Sequence, residues 1–129
     1  MALFHVFDSQ QERINYNGSA FMELQFCRLP VGTPPEKIVT VWSIEDWKLD
    51  SLYIADHDMN LFYHQYGQVF ADGIYNNLRH GAVDMWGINY YASLQIDIIL
   101  NKLAQIKPVD YESLAAWLIA FNGFYILGI

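Results

Sequence analysis

The sequence predicts an α+β fold, a single helix-rich domain with a small, largely antiparallel sheet. Three observations point there. Apolar and polar residues alternate near the N-terminus, as in half-buried strands. They recur at helical spacing through much of the second half. Turn residues separate these stretches without a linker, a repeat or a low-complexity tract. At 129 residues the chain holds one ordinary domain and no second core, so residues 1–129 are read as one unit. Hydrophobic residues make up 53% of it and charged ones 16%, enough apolar surface to offset the entropy of ordering.

Ala2 to Phe7 is a short apolar run, and Ala20 to Arg28 alternates Met22, Leu24 and Phe26 against Glu23, Gln25 and Cys27. Both read as strands. Between them Asn17-Gly18 marks a turn, with room for a helical turn over Asp8 to Ile14. Pro30 to Pro35 is a loop. Lys37 to Trp42 carries Ile38, Val39, Thr40 and Val41, whose β-branching suits a buried strand. Ser43 followed by Asp46 resembles a capping box, and Glu45 and Asp46 suit the positive end of a helix dipole, so a helix is expected to start there.

Met59, Phe62, Tyr63, Tyr66, Val69 and Phe70 share one helical face, interrupted by Gly67. Gly73, Asn76-Asn77 and Gly81 punctuate a hairpin or an irregular lid. From Asn89 to Lys107 the residues Ala92, Ile96, Ile99, Leu100, Leu103 and Ile106 form the stripe of a central helix, with Leu94 and Ile98 as a second apolar edge. Pro108 ends it and Asp110 caps the next helix, where Leu114, Trp117, Leu118 and Phe121 share a face. Asn122-Gly123 then stops the chain, and Phe124 to Ile129 returns as a final strand.

Fourteen acidic against seven basic residues give a formal charge of −7. Nucleic acid and anionic membranes repel such a chain on average, and a basic macromolecule is the partner it attracts. The same balance also serves solubility alone. The single cysteine, Cys27, excludes an intrachain disulfide and a multi-cysteine zinc site and suits a reducing compartment. No secretion signal opens the sequence, so a cytoplasmic protein is expected. Ser113 to Ile129 is apolar, but Asn122, Gly123 and Gly128 break it and no cations flank it, which marks core rather than a membrane span.

Glycine-rich phosphate loops and the GxGxxG, HExxH and GxSxG patterns are all missing, and no cofactor or metal is expected. Asp56-His57-Asp58 with His64 offers two imidazoles, but two helical turns put them roughly 10 Å apart, too far to share a tetrahedral ion. His80 and Asp84 read either as a general-base pair or as a surface contact. Cys27 falls with Glu23 and Gln25 on the more polar strand face and is expected to react with thiol reagents without unfolding. Tyr90 and Tyr91 cannot both face one helical core stripe, so one of them is a candidate contact residue. Between Ser43 and Asn60 the acids Glu45, Asp46, Asp50, Asp56 and Asp58 face the single base Lys48. They read as helix caps and a solvated face, as an acidic docking surface, or as both.

The blocks Asn15-Tyr-Asn-Gly-Ser19, Val41-Trp-Ser-Ile-Glu-Asp-Trp47, Lys48-Leu49-Asp50 and Asn122-Gly-Phe-Tyr-Ile-Leu-Gly128 resemble immunity proteins of bacterial contact-dependent growth inhibition and related polymorphic toxin systems. That resemblance implies a non-enzymatic inhibitor, at work in the cytoplasm, that binds the toxic C-terminal domain of a sibling cell's toxin, often a nuclease. Nucleases must attract nucleic acid and are commonly basic, which an acidic inhibitor matches. The toxin-binding candidates are Glu45, Asp46, Asp50, Asp56, Asp58, Tyr90 and Tyr91. The family diversifies at its contact surface, so the resemblance transfers none of them individually. Two competing readings are a small hydrolase using His57, His64 or His80 beside an acid, and an acidic adaptor subunit of another complex.

Overall fold

The structure is a computed structural model that describes residues 2–18, 20–30, 32–38, 50–75, 79–120 and 123–128. Helix α1 (Gln10–Asn17) starts where the Ser9 hydroxyl accepts the Glu12 amide at 3.1 Å, and the Glu12 carboxylate reaches back to the Asp8 amide at 3.2 Å. It stops at Gly18, whose φ of +62° is cheap for glycine alone. Strand β1 (Phe21–Phe26) follows, then a one-turn helix α2 (Pro35–Ile38). Strand β2 (Leu52–Ala55) runs through a 3-10 turn, Asp56–Asp58, into α3 (Met59–Tyr66). The hairpin β3 (Gly73–Tyr75) and β4 (Arg79–Gly81) leads to β5 (Ile88–Ala92), α4 (Ser93–Ile106), α5 (Tyr111–Leu118) and β6 (Gly123–Leu127).

These strands form a six-stranded sheet in the order β2-β1-β6-β5-β3-β4, antiparallel at every pairing. One face carries Met22, Leu24, Leu52, Ile54, Tyr91, Phe124 and Ile126, which pack in one core with Phe62 and Tyr66 of α3, Ile96, Ile99 and Leu103 of α4, and Leu114 and Leu118 of α5. The other face carries Phe21, Glu23, Gln25, Tyr53, Tyr90 and Tyr125. Its β2 end forms a smaller core of Phe7, Phe21, Tyr53 and Ala55. Arg13 of α1 lies over the Phe21 and Tyr53 rings, 5.7 Å from each centroid.

The α+β class stands, and several elements differ from the sequence reading. Ala2 to Phe7 is not one of the strands and, among the described residues, meets the sheet through the bridge of His5 to Tyr53. Lys37 and Ile38 belong to α2, because Pro35 sits at the first helical position, where its fixed φ favours a helix start; residues 39–42 of the expected strand lie outside the described residues. So does the expected capping box of Ser43 and Asp46. The helix on the Met59 stripe ends at Tyr66, and Val69 and Phe70 are buried in the turns that follow it. The punctuated segment around Gly73 and Gly81 is a hairpin. The expected helix from Asn89 begins at Ser93, and Asn89 to Ala92 are strand.

Candidate interaction surface

Strand register sorts the candidate residues onto opposite ends of the sheet. Phe21 pairs with Ala55, Glu23 with both Tyr53 and Leu127, and Ile88 with Leu127. The Asp56–Asp58 turn leaves β2 at this end. Phe26, Leu52, Gly123 and Ala92 mark the other end, next to Asp50. Asp50 and Asp56 are therefore separated by the length of β2, on the order of 20 Å of extended chain.

At the first end the Asp56 carboxylate accepts the Asn17 amide nitrogen at 3.0 Å, which ties the turn to the end of α1. The His57 ring stands between the two acids, 3.8 Å from Asp56 and 3.6 Å from Asp58, with its side chain 60% exposed. Among the described residues no lysine or arginine pairs with either carboxylate. At the second end Asp50 forms an ion pair with Arg28, and its carbonyl accepts the Trp117 indole N–H at 2.8 Å. Asp50 is thus neutralised locally and engaged in packing. Glu45 and Asp46 lie outside the described residues.

Tyr90 and Tyr91 point to opposite sheet faces because they are neighbours on a strand. Tyr91 is 1% exposed and stacks on Phe124 with centroids 5.1 Å apart, so it is a core residue and not a contact candidate. Tyr90 is half-buried beside a cleft of about 450 Å³ lined by Cys27, Leu29, Ile38, Ser93 and Gly123 among others. Burial, and then the nearby Cys27 thiol, raise the Tyr90 phenol above its ordinary pKa. Gly123 leaves room for that ring, since a Cβ there would stand 3.0 Å from the Tyr90 hydroxyl. The Cys27 thiol donates to the Tyr125 hydroxyl at 3.6 Å, which donates to the Ile38 carbonyl at 2.9 Å.

A partly buried carboxyl sits further along the same face. Glu23 accepts the Ser51 hydroxyl at 2.6 Å and the Gln25 amide at 3.0 Å. Desolvation raises its pKa, opposed by hydrogen bonds from Ser51, Gln25 and Tyr53 and by the charge of Arg13.

His57 and His64 fall in different elements, the 3-10 turn and the last turn of α3, and no group of three metal-ligating side chains forms among the described residues. His80 is exposed on β4, while Asp84 accepts the Trp86 amide at 3.0 Å and so shapes its own loop. No helix among the described residues is long and apolar enough to cross a membrane. Trp86, one of eight aromatics that the sequence offers either as core or as an interface, is the most exposed aromatic among the described residues at 71%. No known protein family, curated protein or solved structure matches this chain.

Proposed function

We propose that this chain is an immunity-type inhibitor that binds a basic toxin domain in the bacterial cytoplasm and neutralises it by docking. The observation that carries this reading is the Asp56–Asp58 turn, two carboxylates without a lysine or arginine partner among the described residues, on a chain of formal charge −7. Such a turn attracts a cationic surface and speeds its encounter. The scattered blocks that resemble contact-dependent immunity proteins support the same partner class, and a nuclease domain is the toxin they favour.

On this reading a toxin gene should lie directly upstream of this chain's own, and the test takes the C-terminal domain it encodes and measures association and dissociation rates. Association should slow several-fold as salt shortens the Debye length from about 10 Å at 0.1 M, with dissociation changing less. Asp56→Lys, at the more exposed of the two acids, should lower the association rate, with the unfolding midpoint of the same variant separating this from loss of the bond to Asn17. A pair that fails to bind, or binds at a rate indifferent to both salt and charge reversal, overturns the reading.

A further inference from the structure

Trp86 is exposed on a loop that hydrogen bonds tie to the sheet. Asn89, 1% exposed, sits under it. Its carboxamide oxygen accepts the Asp84 amide at 2.7 Å, and its nitrogen donates to the Asp84 carbonyl at 2.8 Å and the Ile126 carbonyl at 3.0 Å. The Asp84 carboxylate accepts the Trp86 amide at 3.0 Å, and the Asp84 carbonyl accepts Gly87 at 3.3 Å. Gly87 in turn accepts Gly128 at 2.8 Å. Met85 anchors the loop by packing against the main core, and Gly128 fits so closely that a Cβ would stand 2.4 Å from the Met85 carbonyl oxygen.

Burying an asparagine costs free energy unless its hydrogen bonds are met, and here they are used to fix a loop whose largest side chain faces solvent. A loop backbone tied down before it meets a partner loses less entropy on binding, which favours the tryptophan it presents as an anchor.

Its position selects the partner. Ile88 is level with Leu127, Glu23 and Tyr53 across four strands, so Trp86, two residues before Ile88, is near the level of Ala55, two residues after Tyr53. The Trp86 loop and the Asp56–Asp58 turn therefore occupy one rim of the sheet. They are three strand spacings apart, roughly 14 Å, within the span of one protein interface. The rim pairs an aromatic face with acidic groups, including Asp84 on the loop itself.

We propose that Trp86 is the aromatic anchor of this rim and receives an arginine or lysine side chain of the partner on its indole face, while Asp56 and Asp58 steer the approach. This rests on the reading above that the partner is a basic protein. An anionic membrane, the other common destination of an exposed tryptophan, is opposed by the net charge of −7.

The test titrates tetra-arginine amide, with a glycine–serine peptide and phosphatidylserine–phosphatidylcholine vesicles as controls. The indole N–H signals are followed by NMR, with the Trp86 signal assigned from Trp86→Phe. Peptide affinity is read separately by anisotropy of a labelled copy. The tetra-arginine peptide should shift the Trp86 signal saturably, and Trp86→Ala should weaken binding about two- to five-fold. Asn89→Ala, which unties the loop without touching the peptide, should weaken it too; if that variant does not fold, the Trp86 variants decide. Binding that weakens with Asp56→Asn and Asp58→Asn but ignores Trp86 overturns the anchor and leaves the basic-partner reading standing. No binding to the peptide overturns both. A Trp86 signal that answers only to vesicles overturns the anchor in favour of a membrane.

Discussion

Asp110 holds Leu3 across 107 positions of sequence: its carboxylate accepts the Leu3 amide at 3.0 Å and the neighbouring Phe4 amide at 3.0 Å. The same residue stands at the start of α5 with a φ of +58°, a conformation that aspartate tolerates better than most residues. Asp110→Ala should therefore cost roughly 2–3 kcal/mol, since hydrogen bonds to a charged acceptor are among the stronger ones and the backbone position is strained for alanine. Asp110→Asn should cost less. Urea unfolding of the two variants checks both.

Glu23 makes stability depend on pH in the direction opposite to most carboxylates. Burial raises its folded-state pKa, so the folded protein binds this proton more tightly than the unfolded chain does. Its contribution is fully present below the ordinary carboxylate range and is lost as pH rises from there through the raised value. Relative to wild type, Glu23→Gln should become progressively more stable over that window and then level off. Unfolding free energies of the two proteins from about pH 4 to pH 8 measure the difference; a constant difference would contradict it.

Trp117 stacks on Phe26 with centroids 4.0 Å apart, meets Phe124 edge-on at 5.7 Å, and donates to the Asp50 carbonyl. Its half-buried position lowers the cost expected of a fully buried tryptophan, and Trp117→Ala should destabilise by about 2–3 kcal/mol. Trp117→Phe, which keeps a ring against Phe26, should lose about 1 kcal/mol. A denaturation midpoint unchanged in the alanine variant would show that the stack contributes nothing.

The Tyr91 hydroxyl is buried and meets no hydrogen-bond partner among the described residues. Removing an unsatisfied polar group is neutral or favourable, so Tyr91→Phe should leave stability unchanged or raise it by up to about 1 kcal/mol. A loss of that size in thermal unfolding would reveal a partner for the hydroxyl.

Cys27 is partly exposed at the cleft, with its thiol against Tyr125. A small aromatic disulfide reagent should modify it in the native protein more slowly than a free thiol and without loss of secondary structure. Protection that persists until denaturant is added would mean the cleft is closed in solution.

Helices α3, α4 and α5 were readable because their apolar residues repeat on one face, and the last strand because Asn122-Gly123 marks a stop before a short apolar run. Strand β2 was not, since Leu52 and Ile54 face the main core while Tyr53 and Ala55 belong to the smaller one, and burial on both sides erases the alternation. Strand β5 was hidden for another reason: Ala92 happens to continue the helical spacing of Ile96, Ile99 and Leu103, and only pairing with β6, a long-range fact, makes it extended. The same error obscured which tyrosine reaches the surface. At the site, Asp50 and Asp56 are close in sequence but divided by a strand that pattern reading did not detect. Trp86 was legible only as one of several aromatics that could be core or interface, because what distinguishes it is the distant support of Asn89 and Gly128.

Strand β6 comes last of the six in sequence but lies between β1 and β5. A nascent chain is made in order, so the β2-β1 pair and the β5-β3-β4 group emerge as separate half-sheets with unsatisfied edges. Neither half can join the other until Gly123–Leu127 is free of the ribosome, which leaves both edges open to chaperones or to misassembly until that strand emerges.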